Sequence, residues 1–396
     1  MSFFSKNTSN LSGGVIIDIG SGSVGVGLVQ ITPEEKPAKV LWSHREYILD
    51  NSKREEREQL REIQTALMNA LLELGGAGLS SPDYTNSGVT ISHIQVTLSA
   101  PWAHTATKTI RFTKDEPFVV SKHFIADLIK SSKQEDSESD NTIKQLGLVT
   151  ISNTIAEIQL NEYVVANPVD TRANSLTLSL ITSAVGDTML EAIENSCGKI
   201  FPEIEIRYFS FIDVLHKTLQ HLKPHTSEVC ILDVTDQATE IGIVRDDVLR
   251  YCAFRPTGLH TLASKLSTEL SFTKEESYSI LKRPSEELAT AYKSKEILII
   301  DALFAAYEHE LISLFNDTND DLSIPESIFI HTDALTEDFF HKRITNAAHA
   351  LSPTARTVHF VNENMLGGIV CSDSALGVCA YFLKESPQFK HNKNIV

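Results

Sequence analysis

The run GGVIIDIGSGSVGVGLVQIT, residues 13–32, decides how this chain is read. Its first part, GGVIIDIG (13–20), is an apolar stretch ending in turn residues, the pattern of a buried strand. SVGVGLVQIT (23–32) resumes at once with β-branched residues, and AKVLWSHREYIL (38–49) supplies a third strand. Two strands joined by a tight Gly/Ser turn make a β-hairpin. The run also contains a literal GxGxxG at Gly20, Gly22 and Gly25. A dinucleotide-binding fold needs a helix to begin inside that motif, so that backbone amides meet the pyrophosphate. Here Gly25 and Gly27 alternate with Val24, Val26 and Leu28, which favours strand, and the dinucleotide reading fails. Two readings stay open. One is a plain hairpin with an Asp/Gly turn. The other is a turn whose amides wrap phosphate, with Asp18 holding magnesium through water.

Working outward, residues 53–74 carry Leu60, Ile63, Leu67, Leu71 and Leu74 at helical spacing opposite a charged face, and HIQVTLSAP (93–101) returns to strand. Residues 102–185 differ in character. They hold a strand-like HTATKTIRFT, a helix near 121–131, the acidic run SSKQEDSESDN (131–141) and two more strand-like runs at 154–168 and 175–185. The acidic run reads as a solvated loop. EVCILDVTDQATEIGIVRDDVLRYCAF (228–254) then repeats the opening theme, with Asp233 ending its first strand. Helices are expected at 258–270, 274–282 and 288–315, a strand at 327–332, a helix near 335–350, a strand at 357–361 and a last helix over 373–385. Two halves, each opening on an Asp-tipped hairpin, are the main organisational feature.

Composition narrows the function classes. The 396 residues suit two to four domains, and 42% hydrophobic with 22% charged residues is ordinary globular usage. A formal charge of −17 without a Lys/Arg run disfavours nucleic acid and an anionic membrane surface as direct partners. The five cysteines show no CxxC pattern and read as reduced residues of a cytoplasmic protein. No window approaches 18 uninterrupted apolar residues. His221 and His225 have metal-pair spacing, but Pro224 breaks the helix that would align them, so with His216 they read as surface histidines at a helix end. SFTK (271–274) lacks the partner motifs of an SxxK hydrolase. Cys197 reads as a core or helix-end residue, and Trp42 and Trp102 as ordinary strand-region aromatics.

DIGSGSVGVGLV (18–29) resembles the first phosphate motif of the actin-like ATPase superfamily, and LDVTDQATEIGIV (232–244) lies where its second should be. NEYVVANPVDTRANSLTLSLITS (161–183) resembles the strand-rich end of the small SHS2 module that marks the bacterial FtsA/PilM branch. TGLHTLASKLSTELSFTKEESYSILK (257–282) resembles the segment leading to a closing Leu-Lys. The likeness spans roughly residues 13–385. It implies an α/β, actin-like (ribonuclease H-like) duplicated two-lobe fold with an inserted SHS2-like α+β subdomain. The first lobe would take 13–101 and 186–227, the insert 102–185, and the second lobe 228–385 with a helical subdomain at 257–325. Residues 1–12 would form a flexible leader and 386–396 a flexible tail.

The resemblance further implies ATP and magnesium as ligands. Asp18 and Asp233 would be the metal carboxylates. Gly20, Ser21, Gly22, Ser23, Thr235, Gly258, Lys282, His331 and Thr332 would face the nucleotide. The departures from the pattern carry the functional expectation. Where relatives place glycines after the second Asp, this chain has Thr235, Asp236 and Gln237, whose side chains obstruct phosphate and, at Asp236, repel it. The adenosine turn reads His331-Thr332-Asp333, and the Gly-Gly turn is reduced to Thr257-Gly258. No catalytic residue is assigned. The expected role is an FtsA-type scaffold of bacterial cell division, weakly ATP-binding or non-catalytic. It would recruit a cytoskeletal polymer or an inner-membrane peptide through 102–185, self-associate, and meet the membrane only through partners. The alternatives are a PilM-like cytoplasmic platform of type IV pilus or secretion assembly, favoured by the absence of a terminal amphipathic helix, and a sugar- or acetate-kinase-like phosphotransferase.

Overall fold

The computed structural model describes residues 11–32, 36–48, 56–135, 147–317, 323–332, 337–351, 354 and 356–385. Residues 1–10 of the leader, 136–141 of the acidic run, Asp333 and the 386–396 tail lie outside the described residues.

The opening run forms β1 (Leu11–Ile19) and β2 (Ser23–Gln30), followed by β3 (Lys39–Tyr47). Helix α1 (Glu56–Glu73) lays Ile63, Leu67 and Leu71, all fully buried, against this sheet, the outcome expected of a 3.6-residue apolar stripe. A one-turn α2 (Pro82–Thr85), capped by Ser81, leads into β4 (Val89–Leu98). The inserted module follows: β5 (Ala103–Val119), α3 (Lys122–Glu135), β6 (Leu148–Leu160), the two-residue β7 (Tyr163–Val164) and β8 (Arg172–Gly186). The chain then returns through α4 (Asp187–Ile200), β9 (Glu205–Ser210) and α5 (Phe211–Leu222).

The second half runs β10 (Val229–Val234), β11 (Thr239–Arg245) and β12 (Val248–Arg255), then α6 (Leu259–Leu270), α7 (Lys274–Lys282), α8 (Ser285–Ala291) and α9 (Ser294–Asn316). It closes with β13 (Ser327–Thr332), α10 (Glu337–Leu351), β14 (Thr357–Phe360) and α11 (Ser374–Glu385). The helix expected over 288–315 is divided. Tyr292 and Lys293 are extended, and the Glu296 carboxylate accepts from the Lys293 amide at 2.7 Å, starting α9 afresh.

The strands form three sheets, ordered β3-β2-β1-β4-β9, β12-β11-β10-β13-β14 and β5-β8-β6-β7. The first two are the same device twice. Each has an antiparallel hairpin and a third antiparallel strand on one side, and two parallel strands on the other. The third sheet is antiparallel, with α3 packed on it through Phe124, Ile125 and Leu128. Between the two five-stranded sheets lies a common core in which α5 and α11 meet. Helix α11, from the end of the chain, packs on β1 and β2, while α5, from the first half, packs on β10 and β11. Each half therefore lends a helix to the other's neighbourhood, and burial of Phe211, Leu215, Leu376 and Phe382 welds them.

One histidine differs from its reading as a surface residue. His216 on α5 is buried, its Nε2 is 3.1 Å from the Asp247 carbonyl, and burial above all lowers its pKa. The α5 periodicity that buries Ile212, Leu215 and Leu219 carries His216 inward on the same face.

Phe211→Ala is expected to lower unfolding free energy by about 3–5 kcal/mol, the range for deleting a fully buried aromatic ring. Urea denaturation checks it, and because Phe211 sits where both halves meet, a single transition is expected to move as a whole.

Candidate functional site

The ends of β1 and β10 bring Asp18 and Asp233 to the space between the two duplicated sheets, both buried. The register across the first sheet determines what Asp18 meets. Asp18 on β1 stands opposite Gly25 on β2, and Gly25 stands opposite Arg45 on β3. Two strand spacings separate Asp18 from Arg45, roughly 9–10 Å. The arginine side chain crosses that gap because the middle residue has none. A Cβ built on Gly25 would lie 2.7 Å from Arg45 Nη2 and 3.0 Å from its Cζ. The third glycine of the GxGxxG run is thus an arch over which Arg45 reaches.

Arg45 ends there fully engaged. Nη2 donates to Asp18 Oδ2 at 2.7 Å, Nη1 to Ser23 Oγ at 2.7 Å, and Nε and Nη2 to the two oxygens of Asp373 at 2.6 and 3.0 Å. The guanidinium fork suits this bidentate hold on Asp373. Asp373 in turn accepts the Leu376 amide at 3.0 Å, capping α11. Burial pushes the Asp373 carboxyl up, but the charge and hydrogen bonds of Arg45, with the Leu376 amide and His331, outweigh it and hold the pKa below its ordinary value.

Asp233 is held by a histidine instead. His331 Nδ1 is 2.8 Å from Asp233 Oδ1, His331 Nε2 is 3.2 Å from Ser374 Oγ, and the ring packs on Phe211. Ser374 adjoins Asp373, so one polar chain runs from Ser23 through Arg45 and the start of α11 to Asp233, joining both sheets. Opposite Asp233 in the β10–β11 register sits Glu240, also buried. Burial, and then the charge of Asp233, drive the Glu240 carboxyl well above its ordinary range against a hydrogen bond from the Ala100 backbone.

The two turns that the sequence reading assigns to phosphates touch each other. The Ser21 hydroxyl donates to Thr235 Oγ1 at 2.8 Å and accepts the Gln237 amide at 2.8 Å. Asp236 lies over Gly22 so closely that a Cβ there would come within 1.9 Å of its carboxylate. Gly258 is pressed under the same turn, where a Cβ would meet the Thr235 carbonyl oxygen at 2.2 Å. The first amides of α6, Leu259 and His260, donate to the Thr235 and Asp236 carbonyls at 3.1 and 2.8 Å. A helix start that could receive an anion is thereby satisfied by protein. Trp102, read as an ordinary aromatic, locks the first turn by donating from Nε1 to the Gly20 carbonyl at 3.1 Å.

Of the remaining sequence-derived site residues, Ser23, His331 and Thr332 belong to this region, while Lys282 sits exposed at the end of α7. The functional residues missed by sequence reasoning are Arg45, Asp373 and Ser374. No local sequence signal marks Arg45, because its place opposite Gly25 follows from strand register. Past the contacting turns, the opening between the halves narrows to a groove of about 740 Å³ walled by Trp102, Phe254, Gln237, His260 and Lys265.

Magnesium with ATP does not fit these residues as they stand. Asp18 and Asp373 face a guanidinium, and the Ser21 hydroxyl of the first turn is bonded to the Thr235 hydroxyl and the Gln237 amide of the second. Among the described residues no group of three or more His, Cys, Asp or Glu side chains is placed to hold a metal.

Two outcomes follow for stability. Arg45→Met leaves Asp18 and Asp373 buried without their cation and is expected to cost about 3–5 kcal/mol in urea denaturation. Gly25→Val, which blocks the arch, is expected to reproduce the loss although it removes no charge. In acid, the lowered Asp373 value means its contribution is fully present above the unfolded carboxyl range, roughly pH 4, and is lost as pH falls through the folded value. Glu240 has the opposite sign. Its raised folded value favours the protonated fold, so stability is lost as pH rises from roughly 4.3 through that value. Glu240→Gln is expected to be at least as stable as the parent at pH 7, with a flatter stability profile above pH 5.

No family model and no curated protein matches the sequence. Solved structures do. A PilM-PilN type IV pilus biogenesis complex is similar at 10% identity and a TM-score of 0.61, covering 94% of this chain and 98% of that chain. A Bacteroides thetaiotaomicron protein described as having an actin-like ATPase fold and unknown function is similar at 10% identity and a TM-score of 0.41, covering 96% and 99%. The ethanolamine utilization protein EutJ from Carboxydothermus hydrogenoformans follows at 9% identity and a TM-score of 0.43, covering 92% and 89%. With the sheet used twice and this likeness over nearly the whole chain, the chain has the actin-like ATPase fold.

Proposed function

We propose that this chain is a non-hydrolysing actin-like scaffold of the PilM-like kind, a platform that works by holding a partner protein. The observation that carries this reading is the direct bonding of the two phosphate-type turns, Ser21 to Thr235 and Gln237, with Asp236 seated on Gly22. A phosphate would need the Gln237 amide and the space over Gly22; Ser21 takes the one and Asp236 the other. Arg45 supplies the positive charge that a metal would bring. Hydrolysis has neither a cation site nor an open turn to work with.

The likeness to the PilM-PilN complex over nearly the whole chain puts a pilus- or secretion-type platform ahead of the division-type role. That complex pairs an actin-like protein with a second protein. By analogy the partner here is a peptide from an inner-membrane protein, and the surface offered is the 102–185 module. The chain would then work from the cytoplasmic side of the membrane, reaching it through that partner. No helix among the described residues is long and apolar enough to cross a membrane. A phosphotransferase role is disfavoured by the same closed turns, and by Asp233 being engaged with His331.

Isothermal titration with ATP and with a non-hydrolysable analogue, each with and without magnesium, tests the reading. No heat is expected up to millimolar ligand. Micromolar, magnesium-dependent binding that disappears in Asp18→Ala would overturn it and restore a nucleotide switch.

A further inference from the structure

The inserted module leaves one strand edge open. In the order β5-β8-β6-β7, the 13-residue β6 is paired along its length with β8 on one side. On its other side, β7 covers only Gln159 and Leu160, and the Val165 amide reaches Ile158. Among the described residues no backbone or side-chain hydrogen bond is made to the outward side of residues 148–157. Sheet edges of this length are ordinarily blunted by lysine, proline or charge. LVTISNTIAEIQL contains no lysine or proline, and its single charge, Glu157, points inward to Arg250, with Oε2 to Nη2 at 3.1 Å.

The edge borders a groove of about 410 Å³. One wall is Ile155, Ile158 and Val164; the other is Gln220 of α5 with Asp246 and Asp247 at the β11–β12 turn. The apolar side continues into solvent through Tyr163 and Val164, which are 77% and 66% exposed. Asp246 and Asp247 are exposed, adopt positive φ, and present carboxylates bonded to no other described residue. The short β7 is held in place by an Asn161–Glu162 turn in which Asn161 Oδ1 accepts the Asn174 and Ser175 amides at 2.8 and 3.1 Å. Bulges at Ile151 and Ala156 bend β6 along the groove and leave its edge facing it.

We propose that this edge is a docking site for an extended segment of another protein that adds as a strand beside Ser152–Glu157. Its side chains would alternate apolar and basic. Backbone pairing supplies affinity in such strand addition, and alternate side-chain pockets supply selectivity. The apolar residues would enter between Ile155, Ile158 and Val164. The basic residues would meet Asp246 and Asp247. A second copy of this chain is the poorer occupant, because two bodies of charge −17 repel. The inference rests on the partner-holding reading above for its biological sense, and on the open edge for its physics.

The test uses the full-length chain and fluorescein-labelled peptides followed by anisotropy. The parent probe is an eight-residue peptide alternating valine or isoleucine with lysine or arginine. Two companions are the same peptide N-methylated at alternate residues, on the face that would pair, and a glutamate version. Saturable binding of the parent is expected. The N-methylated peptide should lose at least tenfold in affinity, and the glutamate peptide should not bind. Asp246→Asn with Asp247→Asn, which keeps side chains tolerant of positive φ, should weaken the parent roughly tenfold, the size of two rim charge pairs. Equal binding by the N-methylated peptide would overturn strand addition. An unchanged Asn variant would overturn the assigned partner charge. Concentration-dependent dimerisation that competes with the peptide would assign the edge to a second copy instead. Nucleotide titration of the same preparation separates the readings: peptide binding alongside tight magnesium-ATP binding keeps this site and removes the non-hydrolysing scaffold, while an inert edge in a nucleotide-blind protein does the reverse.

Discussion

Everything at the junction of the two halves depends on one buried cation. Arg45 crosses Gly25, enters the space at the end of β1, and lies between Asp18 and Asp373 with Ser23 taking its third edge. Two carboxylates about 4 Å apart would repel by roughly 4 kcal/mol at the effective dielectric of a protein's outer interior. In this chain Asp18 and Asp373, at the start of α11, converge on one point, which calls for positive charge between them. Here the chain provides its own. A buried ion pair adds little net stability over an apolar alternative, but losing one member is costly, so Arg45 fixes geometry more than it adds free energy.

The second half solves the same problem with different chemistry. Asp233 meets a histidine, not an arginine, and the histidine is shared with Ser374 at the head of α11. Next to it, Glu240 faces Asp233 across the hairpin and is driven toward its neutral form. Asp18 and Asp373 share a fixed cation, Asp233 is hydrogen-bonded, and Glu240 is pushed toward protonation. The four acids thereby coexist in one junction, and α11, whose first turn touches two of these arrangements, becomes the strut that sets how the halves meet.

The fold was legible because periodicity survives without ligand chemistry. The alternation of 23–30, the Asp-tipped repeats at 13–20 and 228–234, and the apolar stripe of α1 all reappear as the strands, duplicated sheets and buried face described above. Helix 288–315 was misjudged because its apolar spacing runs on through Tyr292, whereas the break is made by a local cap, the Glu296 carboxylate on the Lys293 amide. The site was legible only in part. Asp18, Gly22, Thr235, Asp236 and Gly258 stood out because glycine and carboxylate positions in turns carry a pattern. Arg45 carries none: its role exists only once three strands are in register, and register is a property of pairing, not of local sequence. His216 was lost for a similar reason, since a histidine on the inward face of an amphipathic helix looks the same as one on the outward face until the partner carbonyl is placed.

The side chains of Thr235, Asp236 and Gln237 do more than fill their own turn. A space between two packed halves is filled by side chains or by water. Thr235, Asp236 and Gln237 supply the filling here: hydroxyl to hydroxyl, amide to hydroxyl, and a carboxylate laid on a glycine. The same side chains bridge the halves, Thr235 Oγ1 also donating to the Ala100 carbonyl at 3.2 Å. With the turns bonded to each other, the open backbone edge lies elsewhere, on the outer strand of the third sheet.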